Sequence, residues 1–425
     1  MPDEKDVIVS VTAHGMKMIL LSLMIGVLVV PIIISLSWLT TEYFSLVSQA
    51  EFLSPYLGRG WIIPPMLLGG LVVGLIVHRL APEAQGPGAH VVIAAFHKRE
   101  GKLRKRTGFI KFIATIITVG SGSPNGLVSP STLLGNSISG YVERFLKIDD
   151  DSRKTLALCG MAAALSTLLG APLGAAVFAV EVVYGDRILY RRFFYCLISS
   201  IAAYLLALWV GFRTSIIFLG GSLPEISPEI MLYVIATALI VTALNILYIR
   251  LYQNVHDFFL SWSWKGRNWL EPSMGMLIAA VLMAPLFTTM RSMGVVGGGY
   301  TRIIESTDLH IITLTGVILT VIIATAFITG TGGSGGLFMP IMFIGNLMGL
   351  LIASLSSFPH PVILAAVGIS ASLCTTLNIP LASALISIEL FGPVAILPSV
   401  VGALIGYIFG KKYTIYHEIR WNKLK

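Results

Sequence analysis

Charge is scarce in this chain: only 12% of its 425 residues are charged, while 55% are hydrophobic. A soluble protein of this length could not cover its surface with so little charge, so the chain reads as a polytopic membrane protein with lipid as its solvent. Cysteine is almost missing too. Cys159, Cys196 and Cys374 lie within apolar segments, without pairing or metal-ligand spacing, so they read as packing residues. The N-terminus, Met1-Pro2-Asp3-Glu4-Lys5-Asp6, has no basic region leading to a small-residue cleavage site, and no removable signal peptide is expected. The net charge of +8 comes from lysines and arginines in short loops with no interleaved aromatic platform. That pattern argues against nucleic acid and for loops on the cytoplasmic side of a membrane.

Apolar runs at 18–39, 61–80, 193–210, 232–249, 274–288 and 309–328 are long enough to span a bilayer, and shorter ones must tilt or re-enter. One run is broken by Gly120, Gly122, Pro124 and Gly126, after which a helix can restart near Leu127 with its unpaired N–H groups facing the break. Adding 210 maps Gly120, Gly122, Gly126, Leu127, Pro130, Gly135 and Asn136 onto Gly330, Gly332, Gly336, Leu337, Pro340, Gly345 and Asn346. Adding 208 maps Gly160, Pro172, Leu173 and Glu181 onto Gly368, Pro380, Leu381 and Glu389. The chain is therefore two related halves, 15–211 and 225–410, within a single membrane domain of 1–425. Residues 411–425 form a terminal helix start and a short tail. Paired helix breaks at corresponding positions point to a substrate site between the halves.

Basic residues crowd the first-half loops: Lys98, Arg99, Lys102, Arg104, Lys105, Arg106 and Lys111; Arg144, Lys147, Arg153 and Lys154; Arg187, Arg191 and Arg192. The second-half windows 308–321, 354–364 and 393–402 contain no lysine or arginine. The repeat is therefore expected to be inverted, with both chain termini cytoplasmic. Helices starting near Leu127 and Leu337 then meet N-terminus to N-terminus, where their dipoles favour an anion, with no lysine or arginine expected nearby. A third break at Pro82–His90, with Gly297-Gly298-Gly299-Tyr300 as its partner, should approach the same centre from the cytoplasmic side.

These segments resemble the CLC family of chloride channels and chloride/proton exchangers, from about residue 15 to Tyr416. Gly86-Pro87-Gly88-Ala89-His90 stands where the family has Gly-Ser-Gly-Ile-Pro, and Gly126-Leu127-Val128-Ser129-Pro130 where it has Gly-Arg-Glu-Gly-Pro. Gly336-Leu337-Phe338-Met339-Pro340 matches Gly-x-Phe-x-Pro. The resemblance implies an all-α integral membrane protein with an inverted repeat of broken and re-entrant helices. It also implies a homodimer in the cell membrane, joined by helices near 171–205 and 380–409, with one anion pathway per subunit. Gly86, Pro87 and Gly88, Leu127 to Ser129, the backbone of Leu337 and Phe338, and the Tyr416 hydroxyl would contact small inorganic anions. No cofactor, metal or appended nucleotide-binding module is expected.

Three departures carry functional meaning on that resemblance. Val128 occupies the place of the gating glutamate. Val182 stands where exchangers keep an internal proton-transfer glutamate, and Pro87 replaces an anion-contacting serine, as in the plant pattern associated with nitrate preference. The expectation is a passive chloride or nitrate channel; the alternative is a proton-coupled exchanger using another acid. His90 has no role on the resemblance. Glu181 and Glu389, kept at the same repeat position, read as a shared structural hydrogen bond. An enzyme is not expected: Gly332-Gly333-Ser334-Gly335 fits the Gly-x-Ser-Gly pattern of rhomboid intramembrane proteases, but no membrane-helix histidine stands downstream to act as base. A non-conducting membrane protein would leave the paired breaks unexplained.

Overall fold

The computed structural model describes residues 4–146, 148–184, 189–212, 227–261, 268–298 and 310–416. The first half runs through α1 (Glu4–Ser48), α2 (Ser54–Leu57), α3 (Ile63–Leu80), α4 (Ala89–Lys98), α5 (Lys105–Gly120), α6 (Val128–Leu146), α7 (Asp150–Leu169), α8 (Pro172–Tyr184) and α9 (Tyr190–Trp209). The second comprises α10 (Pro228–Ser261), α11 (Glu271–Met283), α12 (Phe287–Ser292), α13 (Ile311–Gly330), α14 (Phe338–Leu355), α15 (Pro361–Leu377), α16 (Pro380–Phe391) and α17 (Ile396–Gly410). Among the described residues there is no strand, and seven helical stretches are long and apolar enough to cross a bilayer.

Three expected spans have different limits. The runs at 18–39 and 232–249 lie inside the longer α1 and α10, and the run at 274–288 is divided at Ala284–Leu286, where Pro285 has no N–H to continue the helix. The expected terminal helix start is not helical over 411–416, and 417–425 lie outside the described residues.

The repeat is visible as shared backbone geometry. Helices α6 and α7 cross at Gly135 and Gly160, and α14 and α15 cross at Gly345 and Gly368. A Cβ added at any of the four would come within 1.9–2.3 Å of the partner's carbonyl oxygen, so only glycine permits either crossing. Helix α7 ends at Gly170 (φ +68°) and α15 at Asn378 (φ +58°), both left-handed, and Pro172 and Pro380 then open α8 and α16.

Helices α8 and α16 show that the repeat is inverted. Glu181, near the end of α8, accepts from Leu381 N–H (3.0 Å) and Ala382 N–H (2.7 Å) at the start of α16. Glu389, near the end of α16, accepts from Leu173 N–H (2.9 Å) and Gly174 N–H (2.7 Å) at the start of α8. Each helix therefore runs antiparallel to its counterpart, and each carboxylate neutralises the other's positive end. The paired structural role expected of the two glutamates is what these bonds describe.

The first-half basic loops gather on one face. Arg144 donates to Leu103 O at 2.8 Å, Lys102 lies 3.9 Å from Asp150, and Arg192 pairs with Asp151. Asp149 caps α7 by accepting from Ser152 N–H at 3.0 Å, which lowers its carboxyl pKa. Lys147 and Arg187 lie outside the described residues.

Candidate functional site

Helices α5 and α13 stop at Gly120 and Gly330, and the chain follows the same course after each. Gly122 (φ +105°) and Gly332 (φ +95°) take a conformation that residues with a side chain rarely adopt. Four residues later the breaks meet: Gly126 N–H donates to Gly336 O at 2.9 Å, and Gly336 N–H returns the bond to Gly126 O at 2.8 Å. Helices α6 and α14 begin two residues beyond this bridge, so their N-termini are tied together through backbone alone.

Side chains reinforce the seam. Asn125 donates to Thr329 at 2.8 Å, Ser334 N–H donates to Thr118 at 3.2 Å, and the Ser334 hydroxyl lies 3.2 Å from that of Thr115. The serine of the protease-like pattern is thus held between threonines.

The third break packs against the first. Gly86 (φ +68°) and Gly88 (φ +103°) turn the chain into α4. A Cβ on Gly88 would stand 3.2 Å from Ser129 O and 3.4 Å from Pro130 Cα, which places the loop against the first turn of α6. Across the seam, a Cβ on Gly298 would stand 3.3 Å from Leu127 Cδ1; Gly299 and Tyr300, completing the expected partner break, lie outside the described residues.

Two expectations fail at Lys111. It does not belong to the basic loop, and the centre does not lack a lysine. Lys111 lies within α5, is wholly buried, and donates to Ala84 O (3.2 Å) and Gly86 O (2.5 Å). Among the described residues no carboxylate comes within ion-pair distance of it. A buried cation without a counter-ion is costly, and an anion nearby would offset that cost. By turning the loop carbonyls towards itself, Lys111 also takes two electronegative atoms out of competition with an anion.

The sequence missed this because it weighed the density of basic residues and not their phase. Thr107, Lys111, Thr115 and Thr118 repeat at helical spacing, and all are buried on one stripe of α5.

The other expected site residues are all buried. Leu127, Val128 and Ser129 form the start of α6; Leu337 and Phe338 form that of α14, where the Phe338 ring stands edge-on to Phe178 with centroids 5.5 Å apart. The Ser129 and Ser131 hydroxyls have no protein partner among the described residues. Gly86, Pro87 and Tyr416 share a cavity of about 430 Å³ with Gly332, reaching Lys98 and Arg99 on the basic face. Leu127, Val128, Ser129, Leu337 and Phe338 lie beyond its lining. Val182 is enclosed in the apolar core of α8. The site is thus a chain of buried backbone donors with a water-accessible vestibule at one end, an arrangement suited to a small anion in transit.

Comparison with known proteins gives a consistent picture. The model of the voltage gated chloride channel family matches residues 69–411. The chain is 26% identical over 383 residues to the voltage-gated ClC-type chloride channel ClcB of Escherichia coli, covering 87% of this chain and 88% of that protein. It is 23% identical over 366 residues to a chloride/fluoride channel protein of Pseudomonas syringae pv. tomato, covering 85% and 78%. Among solved structures, a slow cyanobacterial Cl−/H+ antiporter superposes with a TM-score of 0.80 at 20% identity, over 96% of this chain and 97% of that one.

Proposed function

The chain belongs to the voltage gated chloride channel family, whose members move anions across membranes, and on that premise we propose that it is a passive anion channel, uncoupled from protons. The observation that carries this reading is Val128: the first residue of α6, buried beside the Gly126–Gly336 bridge, is a side chain that can neither compete with an anion nor carry a proton. Val182, also buried and apolar, removes the second place at which a proton could rest. The backbone of Leu337 and Phe338 and the Tyr416 hydroxyl would hold the central anion, with chloride or nitrate as cargo. No enzymatic step and no cofactor enters this reading.

The subunit would work as a homodimer in the cell membrane, with the basic face and both termini in the cytoplasm. Helices near 171–205 and 380–409 would form the dimer contact. Cysteines placed singly near Lys102 and Ser357 should label from opposite sides of the membrane.

A second reading is a proton-coupled exchanger, favoured by Glu83 and Glu271, which line the vestibule and could deliver protons into it. One experiment separates the two. Protein in liposomes, followed with chloride and pH electrodes together, should release chloride once valinomycin supplies countercurrent. Proton uptake driven by a chloride gradient would overturn passive conduction.

A further inference from the structure

The loop at Gly86–Gly88 has lost donors at the place where an anion would need them. Pro87 has no N–H, and the Gly88 N–H is already spent on the Nδ1 atom of His90, 3.3 Å away. That bond fixes the ring's chemistry. Since Nδ1 accepts, the neutral ring carries its proton on Nε2, which is then a donor. The ring lies over Gly86: a Cβ there would stand 3.4 Å from Cε1 and 4.0 Å from Nε2. His90 is partly exposed, and what it is exposed to is the vestibule that Pro87 and Tyr416 also line. Lys111 from α5 and His256 from α10 are the basic groups acting on it, and Lys98, Arg99, Glu83 and Glu271 are charged groups on the walls of the same vestibule.

We infer that His90 is a direct ligand for the permeating anion, taking up the Gly88 N–H on one ring nitrogen and presenting its own Nε2–H to an anion in the vestibule below Pro87. The imidazole moves the donor of the loop outward by the width of a ring. Lys111, bonded to the Gly86 carbonyl beneath it, adds positive potential without touching the anion. The inference rests on anion passage through this vestibule and not on the absence of proton coupling.

Chloride titration of the purified full-length protein in detergent, read by calorimetry, tests it with three variants. His90→Ala should bind chloride about fivefold more weakly, what one net hydrogen bond is worth. His90→Gln places an amide nitrogen near the Nε2 position and should regain most of what alanine loses. His90→Asn places its carbonyl oxygen near the Nδ1 position, so it keeps the Gly88 bond without the vestibule donor and should remain as weak as alanine. The reverse order, with asparagine binding like the parent and glutamine like alanine, would make the ring a backbone cap only and overturn the inference; so would equal affinity of parent and alanine.

If the variants do not purify as folded protein, imidazole ¹⁵N spectra of the parent decide. One Nε2–H resonance should shift as chloride is added, and no shift at any histidine overturns the assignment. Proton movement in liposomes would sink passive conduction while leaving these binding results intact. Chloride affinity indifferent to His90 would do the opposite.

Discussion

Helices α5 and α13 occupy equivalent places and arrive at the same glycine break with different inner faces. On α5 the buried stripe of Thr107, Lys111, Thr115 and Thr118 bonds outward, to Glu83, to the carbonyls of Ala84 and Gly86, and to Ser334. The positions 210 residues later on α13 are Val317, Val321, Thr325 and Ile328, of which Thr325 bonds to Tyr248 at 2.6 Å. The halves therefore share what shapes the backbone, the glycines, prolines and paired glutamates, and differ in what meets an ion. An inverted repeat supplies two opposed helix ends by symmetry; the polar stripe of one half then holds in place the Glu83–Gly86 loop that forms one wall of the vestibule.

If that division holds, changes to shared features should cost stability in either half, and changes to the polar stripe should cost function in the first alone. The largest effect is expected at the shared carboxylates. Glu181→Ala or Glu389→Ala leaves two helix N–H groups unpaired, and at about 1.5–3 kcal/mol for each bond to a charged group the loss is about 3–6 kcal/mol. Glu389, only half-buried, belongs at the lower end. Thermal unfolding in detergent measures both, and a parental midpoint in either variant would break the equivalence of the halves.

Next comes Val128→Glu, which puts on α6 a carboxylate that its counterpart end, at Phe338, also lacks. A carboxylate and a chloride about 4 Å apart repel by about 4 kcal/mol at an effective dielectric of about 20. Anion flux should fall at neutral pH, where the side chain is charged, and recover on acidification as it is protonated. Measuring flux at about pH 7.5 and 4.5 beside Val128→Gln checks the sign, since glutamine cannot titrate; identical behaviour of the two would remove Val128 from the pathway.

A smaller effect is expected at Lys111→Met. Losing a charge about 8–16 Å from an anion, at the same effective dielectric, costs about 1–2 kcal/mol of anion affinity. Val321→Met, at the counterpart position, should leave chloride affinity as it was, and equal losses would show that packing and not charge is being read. The smallest is Pro87→Ser, which restores a hydroxyl and should shift preference from nitrate towards chloride by about 1 kcal/mol. An unchanged permeability ratio would mean that residue 87 does not read the anion.

What was legible in advance was whatever only certain residues can do. Gly122 and Gly332 stand at left-handed turns, Gly135 and Gly160 at a helix crossing with no room for Cβ, and Glu181 and Glu389 at helix starts that need acceptors. Such demands leave the same letters in both halves. Lys111 escaped because Lys105 and Arg106 just before it begin α5 at the loop, and only the four-residue rhythm with Thr107 and Thr115 separates it from them. His90 escaped for another reason: its role depends on which ring nitrogen faces Gly88, a matter of rotamer that no spacing encodes.

The carboxylates that cap α8 and α16 also bear on where a mobile ion can rest. A helix start buried without a partner attracts any anion that reaches it, whether or not the place leads anywhere. Among the described residues the starts of α6 and α14 are buried and carry no carboxylate, whereas those of α8 and α16 are filled with negative charge of the chain's own. Those ends are occupied by the chain's own carboxylates, so a chloride is drawn to α6, α14 and the vestibule beside Lys111 and His90, and not to α8 or α16. Removing Glu181 or Glu389 would do more than loosen the fold: it would open a blind alley, a decoy that fills with chloride and conducts nothing.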